Sequence, residues 1–441
     1  MNFEAHKVDF ARFRVILKRK GRNELTPPLK NSDREQKMLD KAKTVVVMGT
    51  LDTKGEELAY LAERVRSTGC RALLMDVGVH YETQVKADIP VSTVLQAIGD
   101  DIHAVRSLPR GEAVEKISQG ASAYLLRLVE SGEVHGVIGA GGSGGTTICA
   151  AAMRALPYGI PKMIVSTLAS GNTRWHVDIS DIIMVPSLVD IGGLNPMLKM
   201  VLNNAAQAIS GMVRGHEPYR ASGKKVVSIT MYGTTTPGVS QARQVVEEAG
   251  LEAWVFHASG VGGRTMEKLI SMGRVNGVLD MTLAEIGAHL VGGLHDAGPH
   301  RLEAGAEAGL PQVIVPGACD TIVLPPRDQV PEKFRGRTLN YHNPTMTTMR
   351  TTPEENVAIA QFIAEKLNRA KGPVRVILPL GGVSSIDRPG KIFYDPEANG
   401  ALFETLRRAL SPQIPIIEDP HHIDDPEFAI LVGRTMVEML S

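Results

Sequence analysis

Aromatic residues make up only 4% of the 441-residue chain, and lysine plus arginine (48) equal aspartate plus glutamate (48). So few rings argue against base-stacking platforms, and the absent net field argues against electrostatic capture by nucleic acid or lipid. Only three cysteines occur, Cys70, Cys149 and Cys319, odd in number and far apart. They supply neither a CxxC zinc pattern nor a disulfide framework, which points to a reducing, cytoplasmic setting. No apolar run approaches the roughly 18–20 residues that span a bilayer. A soluble chain is expected, with neither membrane nor nucleic acid among its partners.

Glycine (44) and proline (26) are plentiful, and many glycines end apolar runs. The length exceeds what one core usually serves, so more than one domain is expected. Residues 1–43 carry twelve Lys/Arg against six acids and read as a basic extension. From residue 44 short apolar runs alternate with amphipathic stretches, the pattern of βαβ units and a parallel sheet. The pattern restarts after a polar connector at 216–223, giving domains at 44–215 and 224–441. Residues 134–139 (VHGVIG) pair with 275–280 (VNGVLD), and 159–165 (GIPKMIV) with 309–315 (GLPQVIV), in the same order. Two Rossmann-like parallel-sheet α/β domains, related by duplication, are the expected fold. Residues 321–352 show little periodicity and read as a long loop, either a lid or a dimer-forming arm.

In open parallel sheets ligands bind beyond the carboxyl ends of the strands, so the strand-to-helix turns are where chemistry is expected. The richest is Gly139-Ala140-Gly141-Gly142-Ser143-Gly144-Gly145-Thr146-Thr147. Glycines allow close backbone approach to an anion, free amides at a helix start supply donors, and Ser143, Thr146 and Thr147 add hydroxyls. Gly139, Gly141 and Gly144 satisfy GxGxxG, but the next strand runs into Ser166-Thr167 with no acid for a ribose, which counts against NAD. A Walker GxxxxGK[ST] is absent from this loop as well. The second turn holds Thr50 and Thr53 as donors, Lys54 as a counter-charge and Asp52 as a candidate Mg²⁺ ligand through water. Thr53-x-x-Glu56 also matches a capping box. The third turn is rich in hydroxyls: Ser166, Thr167, Ser170, Gly171, Asn172 and Thr173. Three such turns in one domain suit a polyphosphate. Residues 232–238 and 257–264 are the matching turns of the second domain and a candidate second anion site.

At these motifs the chain resembles the ATP-binding domain family typified by the plant protein that inhibits tomato mosaic virus replication. The resemblance runs from about residue 43 to the end. It is carried by residues 49–55 (GTLDTKG), 141–146 (GGSGGT), 342–345 (HNPT), 380–384 (LGGVS) and 424–428 (DDPEF). It implies ATP binding in the first α/β domain, two Rossmann-like domains and a homodimer. The plant protein carries a further barrel-like domain, so viral inhibition is not implied. Which side chains touch ATP follows from the turns, not from the resemblance.

A metabolic enzyme acting on a small carboxylate or sugar acid in the interdomain cleft is the competing expectation. Its candidate groups are Glu285 and His289, on one helical face, with His342 and Arg350 from the long loop. An ATP-regulated dimeric interaction protein is the third.

Overall fold

The computed structural model describes residues 42–80 and 83–441. The basic extension expected over 1–43 therefore lies, but for its last two residues, outside the described residues. The first sheet contains β1 (Thr44–Gly49), β2 (Arg71–Asp76), β3 (Gly136–Gly141), β4 (Lys162–Ser166) and β5 (Ile183–Pro186). All five run parallel in the order β2-β1-β3-β4-β5. Interior strand β1 is buried along its whole length, as a strand covered on both faces must be. Its side chains alternate between two cores. Val46 and Met48 face the long helix Arg110–Glu130 and the helix Ser143–Arg154. Val45 and Val47 face the helices Leu51–Ser67 and Pro196–Arg214.

The second sheet contains β6 (Val226–Met231), β7 (Glu252–His257), β8 (Gly277–Asp280) and β9 (Gln312–Ile314). A small sheet of β10 (Thr321–Leu324), β11 (Leu339–Asn343) and β12 (Met346–Arg350) follows before the chain returns as β13 (Val374–Pro379) and β14 (Ile416–Asp419). The six parallel strands run β14-β13-β9-β8-β6-β7. Numbered from its own start, the second sheet repeats the first sheet's order and adds one strand. The paired sequence segments become the third strand (β3, β8) and the fourth strand (β4, β9) of each sheet. The fold is thus α/β with two Rossmann-like domains.

The segment 321–352 is not structureless. It forms an antiparallel sheet in the order β10-β12-β11, packed on the helix Ala284–Val291 through Ile322, Met349 and Val291. Two 3-10 turns and the Asn343–Met346 hairpin interrupt the apolar pattern and mask it in the sequence.

A buried charge cluster fastens the second domain. Arg301 is 1% exposed and bonds Asp280 with Nη2 (2.9 and 3.1 Å), Glu285 with Nε (2.8 Å) and Glu267 with Nη1 (2.8 Å). Burial disfavours the charge on Arg301, but Asp280, Glu285 and Glu267 outweigh it and raise its pKa. Glu285 also accepts from Gly260 N (2.6 Å) and Gly263 N (3.0 Å), capping the helix Val261–Ser271, and Glu267 accepts from Leu302 N and Ala304 N. One cation thus joins β8 to the helices Val261–Ser271 and Ala284–Val291. Arg301→Met would strand three buried carboxylates, and a loss of about 3–5 kcal/mol in guanidinium unfolding is expected. A loss under about 1 kcal/mol would contradict this role for the cluster.

Candidate functional site

The strand order of the first sheet reverses between β1 and β3, and such a switch point leaves a crevice at the carboxyl edge. A cavity of about 210 Å³ lies there. Thr50, Asp52, Thr53 and Lys54 line it from the end of β1, His80 from beyond β2, and Gly142, Ser143, Gly144 and Gly145 from beyond β3. Two of the three expected turns therefore meet. Arg110, which begins the long helix and carries no local signal in the sequence, reaches the same cavity.

Local interactions shape each wall. The helix Leu51–Ser67 begins at the strand end, earlier than the residue-56 start its periodicity predicts. Its cap is not Thr53 but buried Asp76, whose Oδ1 accepts from Leu51 N (3.1 Å) and Gly78 N (2.8 Å). Burial raises the pKa of Asp76 while those two amides and Arg106 oppose the rise and Asp52 adds to it. Thr50 and Thr53 share a hydrogen bond at 3.0 Å on the cavity wall. Lys54 leaves helical geometry (φ −131°, ψ 25°).

Asp52 is a strap. Its Oδ2 accepts from His80 N (2.9 Å), and its Oδ1 is buried against Gly78, where an added Cβ would lie 2.4 Å away. That Oδ1 is a buried acceptor with no partner among the described residues. The carboxylate could serve a cation only from the edge of the cavity. Among the described residues no group of three or more His, Cys, Asp or Glu is arranged to hold a metal.

The helix Ser143–Arg154 starts directly after β3, with Gly142 as its extended N-cap. Thr146 N bonds Gly142 O (2.9 Å), while the amides of Ser143, Gly144 and Gly145 meet no acceptor among the described residues. They face a cavity that also holds Lys54 and Arg110. A Cβ on Gly144 would lie 3.8 Å from Arg110 Nη2, which locates the guanidinium over the loop. Bare amides, a helix N-terminus and two cations make an anion cradle.

The remaining expected residues sit elsewhere. Thr146 is fully buried and its hydroxyl meets Ser166 Oγ (2.7 Å) and Gly141 O (3.3 Å), so both hydroxyls lock the strand ends together. Thr147 Oγ1 donates to Ser143 O (2.9 Å). Asn172 Oδ1 accepts from Arg174 N (3.1 Å), and Thr173 precedes the short helix Arg174–Val177. Ser166, Thr167 and Ser170 line a neighbouring cleft with Ser187 and Asp190, while exposed Gly171 closes a turn on Leu168 O.

The second switch point, between β6 and β8, is closed by hydroxyls. Thr282 N donates to Thr230 Oγ1 (2.9 Å), Thr235 Oγ1 meets Thr282 Oγ1 (2.9 Å), and Thr230 Oγ1 donates to Asp280 (2.5 Å). The 257–264 turn has its amides capped internally by Glu285. Glu285 is committed to Arg301, and His289 Nδ1 meets Asp296 (3.0 Å). His342 is exposed near a hairpin tip, whereas Arg350 is buried at the other end of that sheet. Arg350 bonds Phe393 O, Thr351 Oγ1 and Asn399 Oδ1 at 2.7–2.8 Å. The four candidate acid–base groups are not brought together.

Fold and crevice define a two-domain Rossmann-like protein with a glycine-lined pocket at its first switch point. Profiles of the uncharacterised protein family UPF0261 match residues 43–218 as its N-terminal domain and 224–440 as its C-terminal domain, and the chain belongs to that family. A UPF0261 protein of Clostridium tetani is 44% identical over 400 residues, covering 90% of this chain and 99% of that one. The ToMV resistance protein Tm-1(GCR237) of Solanum lycopersicum is 40% identical over 420 residues, covering 90% of this chain and 55% of the tomato protein. The tomato proteins are thus relatives, as the motifs implied. Among solved structures, a putative UDP-N-acetylglucosamine 2-epimerase from Listeria monocytogenes matches at TM-score 0.23 and 12% identity over 62% of this chain and 79% of that one, a likeness too slight to carry any argument. No helix of the described residues is long and apolar enough to cross a membrane.

Beside Arg350, Asp320 is fully buried and accepts from Ser384 Oγ (2.6 Å) and Thr321 Oγ1 (3.1 Å). Burial pushes its pKa up to about 6, with Asp387 adding to the rise and Arg350 opposing it. A carboxyl that holds its proton more tightly when folded stabilises the fold below its unfolded pKa and loses that stability as pH rises through the folded value. Relative to Asp320→Asn, the wild type should lose about 3 kcal/mol of unfolding free energy between about pH 4 and pH 7. Parallel pH profiles for the two proteins would refute this.

Proposed function

We propose that the chain binds ATP with Mg²⁺ at the first switch point. The observation that carries this reading is the row of bare amides at Ser143, Gly144 and Gly145 facing Lys54 and Arg110 across one cavity. A triphosphate would take the amides as oxyanion donors, while the two cations neutralise it. Thr50 and Thr53 would add hydroxyl donors. Val77, Val79, Val114 and Ile148 give the same cavity an apolar side suited to the nucleoside. A cavity of about 210 Å³ suits the triphosphate and leaves the base toward the mouth.

Mg²⁺ accompanying ATP keeps most of its shell as phosphate oxygen and water. Asp52 is the carboxylate among the lining residues and would hold the ion from the rim through water. The family resemblance implies the same nucleotide. The homodimer implied with it belongs to this reading, and light scattering would register it.

Calorimetric titration of the whole chain with ATP–Mg²⁺ and, separately, NADH tests the reading. ATP is expected to bind and NADH not. Lys54→Ala and Arg110→Ala should each weaken ATP by about 10-fold or more, since each removes a charge-assisted contact worth about 1.5–3 kcal/mol. Gly144→Val should abolish binding with the fold intact, because its Cβ meets only the Arg110 guanidinium, at 3.8 Å. Binding of NADH in place of ATP, or wild-type affinity in all three variants, would overturn the proposal.

A further inference from the structure

The crevice does not end at Lys54. A second chamber of about 310 Å³ opens at the carboxyl ends of β4 and β5, lined by Thr167, Ser170, Ser187 and Asp190. The two chambers share walls at two points. A Cβ built on Gly142, a residue of the first cavity, would lie 3.9 Å from Thr167 Oγ1. A Cβ on Gly192 would lie 3.9 Å from Lys54 Nζ and 3.8 Å from Asp190 Oδ2, so the ammonium and the carboxylate both stand against one glycine.

The far wall is held firmly. Buried Glu57, on the first helix, accepts from Gly193 N (2.5 Å), and Ser187 donates its hydroxyl to Val189 O (2.6 Å) and its amide to Ser166 O (3.2 Å). Between these anchors Leu188 takes left-handed backbone (φ 62°) and is 69% exposed at the chamber. A branched apolar residue gains nothing from either condition. Strained backbone of this kind gathers at ligand clamps, where the surroundings over-determine it.

The lining chemistry identifies a class of ligand. Thr167, Ser170 and Asp190 are exposed to the chamber, and its lining residues include no lysine, arginine or histidine. Hydroxyls that donate and accept, beside one carboxylate and with Lys54 only at the boundary, match an uncharged polyhydroxylated molecule better than an anion. Resting on the nucleotide reading above, we infer that the protein is a phosphotransferase whose acceptor is a small polyol or sugar held in this chamber. An acceptor hydroxyl oxygen attacks the γ-phosphorus of ATP and forms the new P–O bond. The bond from that phosphorus to the β,γ-bridging oxygen breaks, its electron pair leaves with ADP, and Asp190 takes the hydroxyl proton. Lys54, at the boundary of the two chambers, offsets charge on the group in transfer.

The test uses the whole chain with ATP, Mg²⁺ and one of four probes: glycerol, erythritol, ribose or glucose. Phosphorus NMR follows ADP, inorganic phosphate and phosphomonoester, and calorimetry measures ATP affinity in parallel. Phosphomonoester is expected with at least one probe. Asp190→Asn should cut its formation by about 100-fold with ATP affinity unchanged, and Ser170→Ala should raise the KM for the polyol more than it lowers kcat. If ATP binds and none of the four probes is phosphorylated, or if Asp190→Asn transfers as fast as the wild type, the acceptor chamber is overturned and the nucleotide reading stands. If ATP does not bind, both fall.

Discussion

The close seating of the helix Ser143–Arg154 on β3 decides what can happen at the first switch point. That seating needs strand residues without side chains. A Cβ on Gly139 would strike Cys149 Sγ at 2.6 Å, and one on Gly141 would stand 3.1 Å from Gly145 Cα. On β1, a Cβ on Gly49 would meet Leu58 at 2.6 Å and Ala140 O at 2.8 Å. With these positions bare, helix and strand touch, only Gly142 separates the strand's last residue from the helix, and the helix's first amides emerge at the sheet's edge instead of inside a loop. The other walls depend on that placement. Asp76 sets the start of the first helix, Asp52 ties down 78–80, and Lys54 and Arg110 line the same cavity as the amides.

The two halves share a strand order but differ in what fills the switch point. In the first domain the turn after the third strand is glycine and serine with free donors. In the second, the same place holds Asp280 and Thr282, whose partners are Thr230, Thr235 and Arg301. There a protein carboxylate and hydroxyls satisfy one another. The frame is common to both because buried strands and their covering helices constrain one another, while exposed turns are not so constrained.

Much of this was legible in the sequence, where the physics is local. Residues 45–48 are continuously apolar because β1 is covered on both faces, and residues 139–147 read as a strand-to-helix turn because glycines mark close backbone approach. Groups that meet from afar were not legible. Arg110 belongs to an unremarkable helix start, and nothing near it in the chain indicates that it lies over Gly144. Asp76 replaced the capping box at Thr53 through a contact spanning 25 residues. Glu285 and Arg350 carry the residue types of catalysis, yet burial against Arg301 and against backbone carbonyls makes them structural, and burial cannot be read from residue type. The β10–β12 sheet escaped notice because its turns break the alternation before it repeats.

A crystal structure of the whole chain grown with ATP and Mg²⁺ tests the nucleotide cradle most directly. Phosphate oxygens are expected about 3 Å from the amides of Ser143, Gly144 and Gly145, with Lys54 and Arg110 drawn onto them. A map in which those amides face protein side chains or water alone, with the triphosphate bound elsewhere, would contradict it.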